Sequence, residues 1–167
     1  MKNAYKQKRE QGFTIIEVLI VLAIAALILL IVFLAVPALQ RNSRNNSIRT
    51  DAGNVLAAVN DYVSNNQGAL PTLPTTQQSG PTICFGTATV GTCAAGESEA
   101  KVRGGTTVTL FVGGCGAAPA ALGQIDVHTG CKCSGAAGAS VAAARAISAQ
   151  FSVEANSGNN TGQCVES

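Results

Sequence analysis

The stretch "HTGCKC" brings together His128, Cys131 and Cys133, an imidazole and two thiols within six residues. That trio suggests a metal, but a zinc site normally needs four ligands at suitable spacing. His128 is the only histidine of the chain, and Cys84, Cys93, Cys115 and Cys164 are scattered. Disulfides are the stronger reading, and neither a metal nor a cofactor is expected. All six cysteines follow a long apolar run, and an even count behind an export-type segment indicates a disulfide framework in an oxidising compartment. No nucleotide-binding loop is present and nothing forms a nucleophile–base–acid set. Catalysis would have to come from one histidine and scattered carboxylates, so the residues argue against an enzyme.

The other chemically notable group is a lone carboxylate. Glu17 lies near the start of "GFTIIEVLIVLAIAALILLIVFLAVPALQ" (12–40). A charge costs about 2.5–3.5 kcal/mol at the centre of a membrane helix and less near its end. Glu17 either snorkels to the headgroups as an inert passenger, the favoured reading for an isolated anchor, or serves a function, as ionisable residues inside membrane segments do by default.

These groups must be positioned by a long helix and a small sheet. Residues 18–36 are 19 consecutive apolar residues, about 29 Å of helix and close to the hydrocarbon thickness of a bilayer. Pro37 is expected to kink or weaken the helix. Beyond it, Ile48, Ala52, Val55, Val59 and Tyr62 recur at helical spacing, with Leu56 and Val63 widening the stripe. Gly68 and Pro71 supply the stop. The pattern predicts one helix over 13–65, roughly 80 Å long at the standard rise. From Gly68 onward, 16 of the last hundred residues are glycine. Strands are expected at 82–90, 106–113, 123–129, 145–155 and 162–166, the last closing a hairpin. "AAPAALG" and "SGAAGASVAAA" read as connectors, the second with room for a helical turn, and "ESEAKVR" as a solvated strand edge or loop. The aromatic core is limited to Phe85, Phe111 and Phe151, so the sheet needs the Ile48–Val63 stripe as its partner.

The leader carries Lys2, Lys6, Lys8 and Arg9 against Glu10, a charge of +3, whereas the chain from Phe13 onward sums to −1. That balance lacks the basic surface of a nucleic-acid binder. The sequons at Asn45 and Asn159 are short motifs that often occur by accident.

The residues "GFTIIEV" after a short basic leader, followed by the apolar helix, resemble the class III signal of type IV pilins and pseudopilins. The resemblance implies an α+β fold, with a long N-terminal helix packed on a small, disulfide-stapled antiparallel sheet. It implies removal of the cytoplasmic leader (1–12) by a prepilin peptidase cutting between Gly12 and Phe13, and N-methylation of Phe13. The long helix would occupy 13–66, with 14–39 in the membrane or filament core and 40–66 amphipathic; the extracellular domain would occupy 67–167. Glu17 falls on the family's glutamate, and its implied partner is the Phe13 amine of a neighbouring subunit. Two features depart from the family pattern: Pro37 sits about three residues late, and Ala25 and Ala26 stand where a mid-helix glycine is common. The family's C-terminal strand pair, closed by a cysteine, points to Cys164. Among fifteen possible pairings, Cys84–Cys93 reads as a local loop; one of Cys131 and Cys133 joins Cys115 and the other joins Cys164.

The expected protein is therefore a subunit, and more specifically a major pilin, of a helical homo-oligomeric filament. It would be inserted in the cytoplasmic membrane with its N-terminus inside, handed to a pilus assembly platform, and displayed outside the cell. Surface attachment, twitching motility and DNA uptake are the roles such filaments serve. A pseudopilin of a type II secretion or competence system is one rival. A monomeric membrane-anchored extracellular binding module is another, and it leaves Glu17 unexplained.

Overall fold

A computed structural model describes residues 12–71, 78–86, 93, 95–135, 138–155 and 158–167. The leader, apart from Gly12, lies outside the described residues. The elements in chain order are α1 (Ile15–Asn65), β1 (Gln78–Ser79), β2 (Thr82–Phe85), β3 (Ser98–Lys101), β4 (Thr107–Val112), β5 (Gln124–Cys133), β6 (Ser140–Glu154) and β7 (Asn160–Glu166). The chain forms two compact units, one ending at Gln40 and the other spanning Arg41–Ser167.

In the first unit, every described residue is exposed. That surface is almost wholly aliphatic, from Ile15 through Leu39. Water does not tolerate a continuous apolar cylinder of this size, so the segment requires lipid or other protein around it. Pro37 stands inside α1. It has no N–H to offer the Phe33 carbonyl, the partner it would have in an uninterrupted helix.

In the second unit, α1 buries Ile48, Ala52, Val55, Leu56, Ala58 and Val59. They share one core with Ile83, Phe85, Val108, Leu110, Ile125, Val127, Ile147, Ala149, Phe151 and Val153. The five-stranded sheet runs β1-β4-β5-β6-β7, and β2 and β3 form a separate antiparallel pair. Helix and sheet thus meet through the stripe that the spacing predicts.

Four details differ from the sequence reading. The sheet is mixed rather than antiparallel throughout, because β4 and β5 run parallel. Residues 113–123, containing "AAPAALG", therefore form a crossover, not a hairpin. Residues 140–144 of "SGAAGASVAAA" belong to β6 and are not a connector, while 136–137 lie outside the described residues. There β6 makes a large bulge, with Thr129 opposite Ile147 but Cys131 already opposite Ala142, and Arg145 adopting φ 65°. Phe111 is absent from the core; it lies on the opposite sheet face, stacked on His128 with ring centroids 4.8 Å apart. Finally, "ESEAKVR" contains the whole of β3, in which Ser98 and Ala100 are buried and not solvated, and which pairs with β2. Of the strand expected at 82–90, β2 takes 82–85, and 87–90 lie outside the described residues.

Candidate functional site

The apolar helix begins with a polar knot. Thr14 precedes the first helical residue, Ile15, and Glu17 is the third residue of α1. The Thr14 N–H donates to Glu17 Oε2 at 2.8 Å, and the Thr14 hydroxyl donates to the same oxygen at 2.7 Å. The Glu17 N–H in turn approaches Thr14 Oγ1 at 3.4 Å. A threonine and a glutamate three residues later, each serving the other's backbone N–H, constitute a capping box. The first N–H groups of any helix lack internal acceptors, and beside lipid there is no water to serve them. A carboxylate at this place also faces the positive end of the helix dipole.

The box engages only one oxygen of the carboxylate, Oε2. Glu17 itself is exposed, as are Gly12 and Phe13. Phe13 is 88% exposed, and Val18, Val21 and Leu22 line an apolar notch together with Phe13 and Glu17. Gly12 has open space around its α-carbon. Phe13 and Glu17 thus line one notch, Gly12 precedes Phe13 ahead of the helix, and Pro37 stands farther along the same helix. Sequence reasoning overlooked Thr14, although the T-x-x-E spacing at 14–17 carried the signal.

In the second unit, Cys84 joins Cys93, Cys115 joins Cys131, and Cys133 joins Cys164. Cys131 and Cys133 are therefore bridged to different partners and do not stand as a pair of thiolates beside His128. The carboxylate of Glu97 lies near Cys84 and Cys93, but those two sulfurs are bonded to each other. His128 is 95% buried and directs Nδ1–H to the Gly114 carbonyl.

The electrostatics of this unit join the helix to the sheet. Arg44 grips Glu154 with two donors, Nε to Oε1 at 2.7 Å and Nη2 to Oε2 at 2.8 Å. The adjacent Asn45 exchanges two hydrogen bonds with the Glu154 backbone, each 2.9 Å long. The Arg44 hydrogen bond holds the Glu154 carboxyl below its ordinary range, and the same contact raises Arg44. Asp51, buried on α1, accepts from Thr106 Oγ1 at 2.9 Å and Arg103 Nε at 3.3 Å. Burial pushes the Asp126 carboxyl up, partly offset by a hydrogen bond from Gln124.

A family model described as a prokaryotic N-terminal methylation motif matches residues 7–33. The matched segment includes Gly12, Phe13, Thr14 and Glu17 and much of the exposed apolar helix. No curated protein and no solved structure is significantly similar to this chain.

Proposed function

We propose that this chain, which carries the N-terminal methylation motif characteristic of type IV pilins and pseudopilins, is the major structural subunit of a type IV pilus-like filament. The motif itself implies processing by a prepilin peptidase and entry into pilus assembly. In this reading the peptidase cuts between Gly12 and Phe13, and the new amine of Phe13 is methylated. The subunit waits in the cytoplasmic membrane with its N-terminus inside, then passes through an assembly platform into an extracellular homo-oligomeric filament. The filament serves surface attachment, twitching motility or DNA uptake. The chain acts structurally and not as an enzyme.

The observation that carries the proposal is the state of Glu17. It is a carboxylate on a helix whose other neighbours are aliphatic, and one of its oxygens lies outside the capping box. The methylated amine of Phe13 is still a cation. In a bundle of such helices, Glu17 of one subunit neutralises the Phe13 amine of the next while Thr14 holds the carboxylate in place. Smooth aliphatic helices slide past each other easily, so this pair sets their axial register. Removing one member of a buried ion pair costs about 3–5 kcal/mol.

The test separates capping from charge. Glu17→Gln retains the hydrogen-bonding pattern of a capping box but has no charge to offer the amine. Glu17→Leu removes both. Both variants are expected to insert, be cleaved and form their disulfides, yet to yield few or no sheared filaments. Normal filament numbers from Glu17→Gln subunits would restrict the carboxylate to capping and refute the ionic pairing.

A further inference from the structure

The polar face of the sheet, opposite α1, contains three buried side-chain atoms with no hydrogen-bond partner among the described residues: His128 Nε2, Ser148 Oγ and Gln150 Oε1. The residues belong to one place. His128 on β5 lies directly opposite Ser148 on β6, and Gln150 is the next residue along β6 on the same face. His128 is 5% exposed, and Ser148 and Gln150 are 0% exposed. Leaving such groups unpaired in a buried place is costly to the fold.

The partners of the neighbouring atoms define what each orphan can do. His128 Nδ1 faces the Gly114 carbonyl, which can only accept, so Nδ1 carries the proton and Nε2 presents a lone pair. Gln150 Nε2 donates to the Gly116 carbonyl at 2.9 Å, so Oε1 is the inward atom and another acceptor. Ser148 offers a hydroxyl. Two acceptors and one hydroxyl call for a small neutral molecule with two protons to give and a lone pair to receive.

We infer that His128, Ser148 and Gln150 form a binding site for a single structural water. It donates to His128 Nε2 and Gln150 Oε1 and accepts from the Ser148 hydroxyl, within the two to four bonds usual for a buried water. A divalent cation is a poorer fit, because the three atoms include one nitrogen and no anionic ligand. The water has a definite task. It satisfies the inward atoms of His128 and Gln150, whose orientations the Gly114 and Gly116 carbonyls set, and these two side chains hold the crossover 113–123 at Gly114 and Gly116. Ser152 and Asn160 continue that hold, donating to the Pro119 and Ala120 carbonyls at 2.6 and 2.8 Å.

Because His128 is the only histidine, one label reports on the site. The experiment uses the full chain in detergent micelles, labelled with nitrogen-15 and carbon-13 histidine. The expected spectrum has a protonated Nδ1, a hydrogen-bonded unprotonated Nε2, and a nuclear Overhauser cross-peak from water to the ring protons in the sense of a long-lived complex. In Ser148→Ala the cross-peak is expected to persist, since two acceptors still hold the water. Loss of the cross-peak in Ser148→Ala would trace it to the serine hydroxyl and overturn the inference. A proton on Nε2, an absent cross-peak in the unmodified chain, or a Nε2 signal that moves on adding a chelator would overturn it as well.

Discussion

At the residue scale, the capping contact of Glu17 and its proposed pairing with an amine differ in what they require. Capping needs an acceptor at the right reach; pairing with an amine needs a charge. Thr14 belongs only to the first. Thr14→Val removes the hydroxyl that both donates to Glu17 and receives its N–H, whereas Thr14→Ser keeps it. Loss of an N-cap typically costs about 1 kcal/mol. Thr14→Val is therefore expected to reduce amide-exchange protection over the first turn of α1 by roughly five- to tenfold in detergent, with Thr14→Ser near the parent. Filaments of Thr14→Val should be fewer but present, because the charge survives. This grading sets it apart from Glu17→Gln, in which the cap survives and the charge does not.

At the element scale, α1 is joined to β6 by Arg44, Asn45 and Glu154, and this joint has a pH dependence of defined sign. The Glu154 carboxyl is held low in the folded chain by Arg44. Its contribution is present above the ordinary carboxylate range and is lost as pH falls through the depressed value. Acid should therefore weaken the joint, and Glu154→Gln should flatten that part of the stability–pH curve measured by thermal unfolding. Asp126 acts in the opposite direction. Burial raises it, so its charge opposes folding near neutrality and protonation relieves the cost as pH falls. The helix stripe from Ile48 to Val63 was legible in the sequence because periodicity reports directly on a buried face. The parallel β4–β5 pair was not, because strand direction depends on where the crossover 113–123 travels, and its glycines and alanines have no periodicity. Phe111 was assigned to the core because it is aromatic; its alternation with Leu110, which faces α1, places it on the other face beside His128. The cysteines disclosed an oxidised framework, but which of Cys131 and Cys133 reaches Cys115 depends on the bulge between Thr129 and Cys131.

At the scale of the whole molecule, processing and oxidation are the measurable states. Intact-mass analysis of exported protein is expected to give a chain starting at Phe13 with one added methyl. Retention of the residues before Phe13, or cleavage after Ala38, would remove the basis of the filament reading. The disulfides close loops of different size, with sequence separations of 9 for Cys84–Cys93, 16 for Cys115–Cys131 and 31 for Cys133–Cys164. A chain-entropy treatment assigns them about 2.6, 3.1 and 3.7 kcal/mol. Replacing Cys133 and Cys164 together by serine should therefore lower the unfolding free energy of the Cys-containing unit most, and replacing Cys84 and Cys93 least, as read from chemical denaturation.

The grip of Arg44 and Asn45 on Glu154 also determines how the second unit bears load. A pull transmitted along the backbone of α1 past Arg41 meets the sheet first at Glu154, the last residue of β6. β6 is an interior strand, laddered to β5 on one side and β7 on the other. Tension enters through a strand braced on both flanks, where dislodging it means disrupting two ladders at once. Cys133–Cys164 adds a covalent tie between those flanking strands. In mechanical terms the joint is an anchorage: it delivers force to the part of the sheet best able to resist peeling.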